Sequence, residues 1–149
     1  MKKYKTDDRP HIFNAIPKDR SFTVLMVAEK PSIAKSIADA LAPGKNYRSV
    51  KGRSPVCLIH QFDYNIFGRK CFVKVTSVAG HIYGRDFPGK YASWDRIDPT
   101  ELFDAPTIKQ YSEPKQRMSE HLKNEGRNAD FLVLWLDNDR EGENICFEV

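Results

Sequence analysis

The sequence predicts an α/β fold in which parallel strands carry helices on their faces, and three observations predict it. Residues 23–28 (TVLMVA) and 131–136 (FLVLWL) are short, continuous apolar runs, as expected of strands buried on both faces of a parallel sheet. Each run ends in a charged turn and passes into helical spacing. Between the two lies a stretch rich in aromatic and β-branched residues, the pattern of a hairpin.

The elements follow in order. Residues 1–21 form a polar leader holding six Lys/Arg (Lys2, Lys3, Lys5, Arg9, Lys18, Arg20) and three Asp, and are expected to be solvated and mobile. The first strand ends in Glu29, Lys30, Pro31 and Ser32. Ile33, Ile37 and Leu41 then recur at helical spacing, with Pro31 suited to the opening turn and Pro43-Gly44 to the exit. Residues 58–67 and 71–78 read as the two strands of a hairpin joined by Gly68-Arg69-Lys70. Cys71, Val73 and Val75 share one face of the second strand, Lys74 and Thr76 the other. Residues 84–113, punctuated by Gly84, Pro88, Gly89, Pro99 and Pro106, read as an irregular surface excursion. Helical periodicity returns over residues 114–125, with Met118 and Leu122 inward and Gly126 as the stop. After the second apolar run, Asp137 opens a last helix with Ile145 and Val149 inward. The chain ends inside that helix, so residues 22–149 are expected to be one domain truncated within its final element.

Composition narrows the function classes. At 149 residues the chain fits one domain, and with 40% apolar and 30% charged residues it is expected to fold. No apolar run nears the roughly 20 residues of a membrane-spanning helix, and the N-terminus lacks the apolar core of a signal peptide. The expectation is a soluble intracellular protein without a membrane partner. Cys57, Cys71 and Cys146 are odd in number and widely spaced, which suits reduced thiols. Cys57 and His60 have the spacing of half a zinc site, but no second Cys/His pair follows. A net charge of +4 permits nucleic-acid binding without arguing for it.

The chemistry concentrates in LWLDNDREGEN, residues 134–144, where an apolar run stops at Asp137, Asp139, Glu141 and Glu143. Both apolar runs turn into helices, so Glu29 and this acidic group lie at the carboxyl ends of their strands. In an open parallel sheet those ends share the edge where ligands bind. Carboxylates converging there suit magnesium, which takes one or two of them together with waters and substrate phosphate. Lys30 adds a positive point charge for a phosphate, and phosphoryl transfer is the chemistry indicated. A plain solvated acidic face is the bland alternative. A sharper one is an EF-hand-like calcium loop, because Asp137, Asp139, Glu141, Gly142 and Glu148 stand at its positions 1, 3, 5, 6 and 12. Against it, FLVLWL is β-like where an EF loop follows a helix, and position 5 is Glu.

VAEKPS (residues 27–32), TSVAGH (76–81) and WLDNDREGENI (135–145) occur in that order. Together they resemble the Toprim domain of type IA DNA topoisomerases, in the topoisomerase III subgroup; the stretches GKYASWD, DPTELF and ICFEV look most like its eukaryotic beta branch. The resemblance covers residues 22–149. It implies a Rossmann-like, mostly parallel four-stranded sheet flanked by helices, with Mg2+ at its edge and the hairpin and irregular segment inserted. It implies Glu29 as general acid/base on the leaving 3′ oxygen and as a metal neighbour, Asp137 and Asp139 as the metal pair, Glu141 as supporting acid and Lys30 on the scissile phosphate. His81 matches a family histidine near the site, although a lone histidine after a strand also reads as structural.

The family cuts one strand with a tyrosine, passes another through the gap and reseals it. Tyr4, Tyr47, Tyr64, Tyr83, Tyr91 and Tyr111 all stand away from the position of that nucleophile. The segment alone is therefore expected to be inactive. By the same resemblance the expected substrate is single-stranded DNA, with RNA as a second candidate, a tudor-domain protein as a partner, and the nucleus or cytoplasm as the location. A non-catalytic Toprim-fold module that binds a metal or partner, and another Toprim enzyme such as a primase or nuclease, are the rival readings. Glu29 discriminates, because chemistry at the sheet edge needs it and a local calcium loop does not.

Overall fold

Strand β1 (Phe22–Ala28) runs between two parallel neighbours, β4 (Arg69–Ser77) and β7 (Phe131–Trp135). Its composition follows from that place: a central strand covered on both faces has no solvent side, so Val24, Met26 and Ala28 are buried on one face and Leu25 and Val27 on the other. The computed structural model describes residues 16–149 except 18, 92 and 94. Most of the expected leader, including Lys2, Lys3, Lys5, Arg9, Lys18 and Tyr4, lies outside the described residues.

The sheet has five strands in the order β2-β3-β4-β1-β7, where β2 is Arg48–Lys51 and β3 is Leu58–Ile66. The β2–β3 and β3–β4 pairs are antiparallel. The α/β class holds, but the expected four-stranded, mostly parallel sheet is corrected to a mixed one of five strands. The reason is the hairpin: β3 and β4 bury Ile59, Phe62, Cys71, Val73 and Val75, so they form part of the main sheet instead of an insertion on it. Its turn is the pair Phe67-Gly68, both at positive φ (50° and 80°), as a two-residue hairpin turn requires.

Helix α1 (Pro31–Leu41) covers one face through Ala34, Ile37 and Ala38. Helices α2 (Met118–Gly126) and α3 (Arg140–Glu148) belong to the other face, where Met118, Leu122 and Ile145 pack with Leu25, Val27, Val78 and Ile82. Burying residues of this size contributes about 1.5–3 kcal/mol each. The excursion over 84–113 is more ordered than expected: β5 (Tyr83–Asp86) and β6 (Ile108–Tyr111) pair as a separate antiparallel ribbon.

Two further expectations change. The apolar run of β7 predicts burial on both faces, yet β7 is the last strand of the sheet, and Leu132 is 51% exposed with Leu134 and Trp135 also open to solvent. Within the span read as a solvated leader, Ile16 is buried, its carbonyl accepts from the Arg69 guanidinium at 3.2 Å, and Arg20 pairs with Asp130 at 2.7 Å. No helix among the described residues is long and apolar enough to cross a membrane.

Candidate metal and phosphate site

Strand register builds the site. Ala28, the last residue of β1, pairs with Trp135 of β7 on one side and Ser77 of β4 on the other. The residues that follow each strand therefore emerge at one carboxyl edge: Glu29, Asp137 and His81. The backbone N–H of Asp137 donates to Glu29 Oε2 at 3.3 Å, and Lys30 Nζ lies 3.1 Å from Glu29 Oε1.

The electrostatics follow from this arrangement. The Lys30 ammonium, hydrogen-bonded to Glu29, holds that carboxyl below its usual range, with the Asp137 N–H adding to the effect. Asp137 is pushed the other way, first by the charge of Glu29 and then by its hydrogen bond with it, with Asp139 contributing more repulsion. Lys30 is raised by Glu29 above all, and further by Asp137 and Glu141. Two adjacent carboxylates thus share one lysine between them.

The turn after β7 is shaped by close contact. Asp139 is the N-cap of α3, its Oδ1 accepting from the Gly142 N–H at 2.8 Å. Gly142 is required there, because a Cβ at that position would overlap the carbonyl oxygen of Asp137. The glycine of DNDREGEN lets the helix start press against the backbone that carries Asp137. Any larger residue would displace one of the two.

His81 links the edge to the end of α3. Its Nδ1 is 2.9 Å from Glu148 Oε1 and its Nε2 is 3.8 Å from Glu141 Oε1. Glu148 Oε2 accepts from the N–H groups of Ile82 at 2.7 Å and Tyr83 at 3.3 Å. Burial pulls Glu148 upward, but the His81 bond and these two N–H groups together hold its pKa below the usual value. This role of Glu148 was missed in the sequence, where it stood only as a calcium-loop position. The EF-hand reading is overturned: residues 140–148 are helix, not a ligand loop, and the Glu148 carboxylate is spent on His81 and the backbone.

Among the described residues no three His, Cys, Asp or Glu side chains are gathered as a metal cage. The structure does bring together Glu29, Asp137 and Lys30, with Glu141 beside His81, while Asp139 serves the helix cap. Two hard carboxylates that repel one another are a donor set that fits magnesium, which usually takes only one or two from a protein. The fit rests on Glu29 and Asp137.

A strand-end glutamate facing an Asp-x-Asp turn across two parallel strands defines the class. Residues 24–149 match the family model of the Toprim domain, and the chain belongs to that family. It is similar to DNA topoisomerase 3-beta of Arabidopsis thaliana, with 54% identity over 126 residues, and to DNA topoisomerase 3-beta-1 of Homo sapiens, with 52% over 128. Both alignments take in 85% of this chain. It is also 38% identical to DNA topoisomerase 3-alpha of Homo sapiens, in an alignment of 146 positions that covers 89% of this chain. The chain spans 14% of the Arabidopsis relative and 15% of the human 3-beta-1 relative.

Proposed function

We propose that this chain is the magnesium-binding Toprim portion of a type IA topoisomerase of the 3-beta kind, which cuts and rejoins single strands of nucleic acid. The observation that carries the reading is the meeting of Glu29, Lys30 and Asp137 at one sheet edge, supported by the similarity to the 3-beta relatives.

In this reading Glu29, Asp137 and the Asp139 oxygen that does not cap α3 would hold the ion. The ion, when bound, supplies positive charge to phosphate oxygens. Lys30 turns from Glu29 to the scissile phosphate. Glu29, as general acid/base, would take the proton released by the attacking tyrosine and deliver it to the leaving 3′ oxygen. Glu148 holds His81 toward the edge, and Glu141 stands beside it as the supporting acid. The attacking tyrosine comes from outside these residues, DNA is the first substrate and RNA the second, a tudor-domain protein is a partner, and the location is the nucleus, the cytoplasm or both.

Calorimetric titration with magnesium tests this. Glu29→Gln and Asp137→Asn should each weaken binding by about tenfold or more, while Glu148→Gln should leave it within about twofold. Unchanged affinity in the first two variants would sink the site. The chain of 149 residues should also fail to relax supercoiled DNA. Relaxation by it would contradict the placing of the nucleophile.

A further inference from the structure

Arg85 and Lys109 are direct cross-strand partners in the β5–β6 ribbon. Directly opposed like charges destabilise a strand pair. On the same ribbon face are Tyr83 and Tyr111, stacked with ring centroids 5.2 Å apart, and Lys109 Nζ lies 3.6 Å from the Tyr83 centroid. The Arg85 guanidinium is held by Thr107 Oγ1 at 3.1 Å. The nearby acid, Asp86, is on the opposite face and accepts from Gln110. Among the described residues neither cation is within ion-pair distance of a carboxylate. The ribbon keeps two positive charges side by side with no carboxylate among the described residues paired to either.

These cations form one wall of a groove of about 560 Å³ between the ribbon and α3. The other wall carries Asn144, Phe147 and Glu148; the Glu148 carboxylate is bonded to His81 and to the Ile82 and Tyr83 N–H groups, and Phe147 is 86% exposed. His81, which emerges at the same carboxyl edge of the sheet as Glu29 and Asp137, lines the groove and lies 3.8 Å from Glu141. We infer that this groove seats a single-stranded nucleic acid next to the reacting phosphate, with Arg85 and Lys109 on successive phosphates and Phe147 stacked on a base. Paired cations beside a free aromatic face are the means by which single strands are held without sequence preference. The inference rests on the function proposed above and assigns part of its substrate path.

The test is fluorescence anisotropy with a labelled single-stranded decanucleotide, made as DNA and as RNA, in EDTA so that the magnesium site contributes nothing. Arg85→Ala/Lys109→Ala should weaken binding about tenfold or more and flatten the dependence of log K on log salt by about 1.4, at roughly 0.7 per phosphate contact. Phe147→Ala should weaken it by about fivefold or more and leave the salt slope unchanged. All three side chains are exposed, so circular dichroism should be unaltered, and relief of the Arg85–Lys109 repulsion should leave the melting temperature no lower than that of the wild type. Loss on DNA, RNA or both supports the groove and says which strand it takes. If the double variant binds as wild type with the same slope while magnesium still binds through Glu29 and Asp137, the groove is wrong and the metal site stands. If the wild-type chain binds neither oligonucleotide nor magnesium, both readings fall.

Discussion

The backbone N–H of Asp137 donates to the carboxylate of Glu29 at 3.3 Å across 108 positions of sequence. This contact sets the two carboxylates side by side, and their pKa values move apart: Glu29 down under Lys30, Asp137 up under Glu29. A carboxyl with a raised folded-state pKa contributes stability below its unfolded pKa and loses that contribution as pH rises through the folded value. At neutral pH Asp137 is therefore a liability of the metal-free fold. Asp137→Asn should raise the Tm of the metal-free protein at pH 7 and abolish the extra stabilisation by magnesium, in the usual trade of stability against function. A Tm lowered by this substitution, measured in EDTA, would count against the pair as described.

Gly142→Ala should act against its intrinsic propensity. In an exposed helix the change gains about 0.5–1 kcal/mol. Here the added methyl meets the Asp137 carbonyl, so the expected outcome is a loss of about 1–3 kcal/mol, as for other overpacked contacts. Magnesium affinity should fall with it, because the displaced backbone is the one that carries Asp137. Urea unfolding with and without magnesium separates the two effects.

Much of this site was legible because the chain states it locally. The apolar runs ending at Glu29 and Asp137 gave two strand ends, and parallel topology required those ends to share an edge. Lys74 and Thr76 were likewise placed opposite Val73 and Val75 by alternation alone, as the structure has them. What escaped was set by distant partners. The exposure of β7 depends on sheet order, which FLVLWL cannot encode, since a buried and an edge strand share the same apolar letters. β2 (RSVK) has no apolar pattern and exists by pairing with β3. Glu148 looked like a ligand because spacing along the sequence does not show which carboxylates are already bound to backbone N–H groups.

The ion pair between Lys74 and Glu125 is another long-range feature, joining β4 to α2 at 3.2 Å with side chains only 17% and 8% exposed. Removing one partner of such a pair leaves a charge shielded from water. Lys74→Met should therefore destabilise by about 3–5 kcal/mol, and adding Glu125→Leu should recover most of the loss, because an apolar pair of similar volume replaces a buried ion pair at little cost. Urea midpoints of the single and double variants decide the matter; a double variant as weak as the single one would place the cost in packing.

His121 is fully buried against β4, with Nε2 2.8 Å from Thr76 Oγ1 and Nδ1 accepting from the Ser54 N–H at 3.4 Å. An accepting Nδ1 makes Nε2 the protonated nitrogen, so the neutral ring fits both contacts, whereas a charged one keeps the bond to Thr76 and loses the one from the Ser54 N–H. Burial depresses its pKa below the ordinary value of 6.5, more than the charge of Glu125 raises it. For a base with a depressed folded-state pKa, the stability contribution is complete above the unfolded pKa and is lost as pH falls toward the folded one, because the unfolded chain takes up the proton first. The Tm should therefore drop as pH is lowered from about 7 to 5. His121→Gln should cost about 1–3 kcal/mol at pH 7 through its disrupted hydrogen bonds, and should flatten that drop. The slope should not vanish, since His60 is also depressed, by burial first and by Lys35 second. If the pH dependence of Tm is as steep in His121→Gln as in the wild type, the proton is taken up elsewhere.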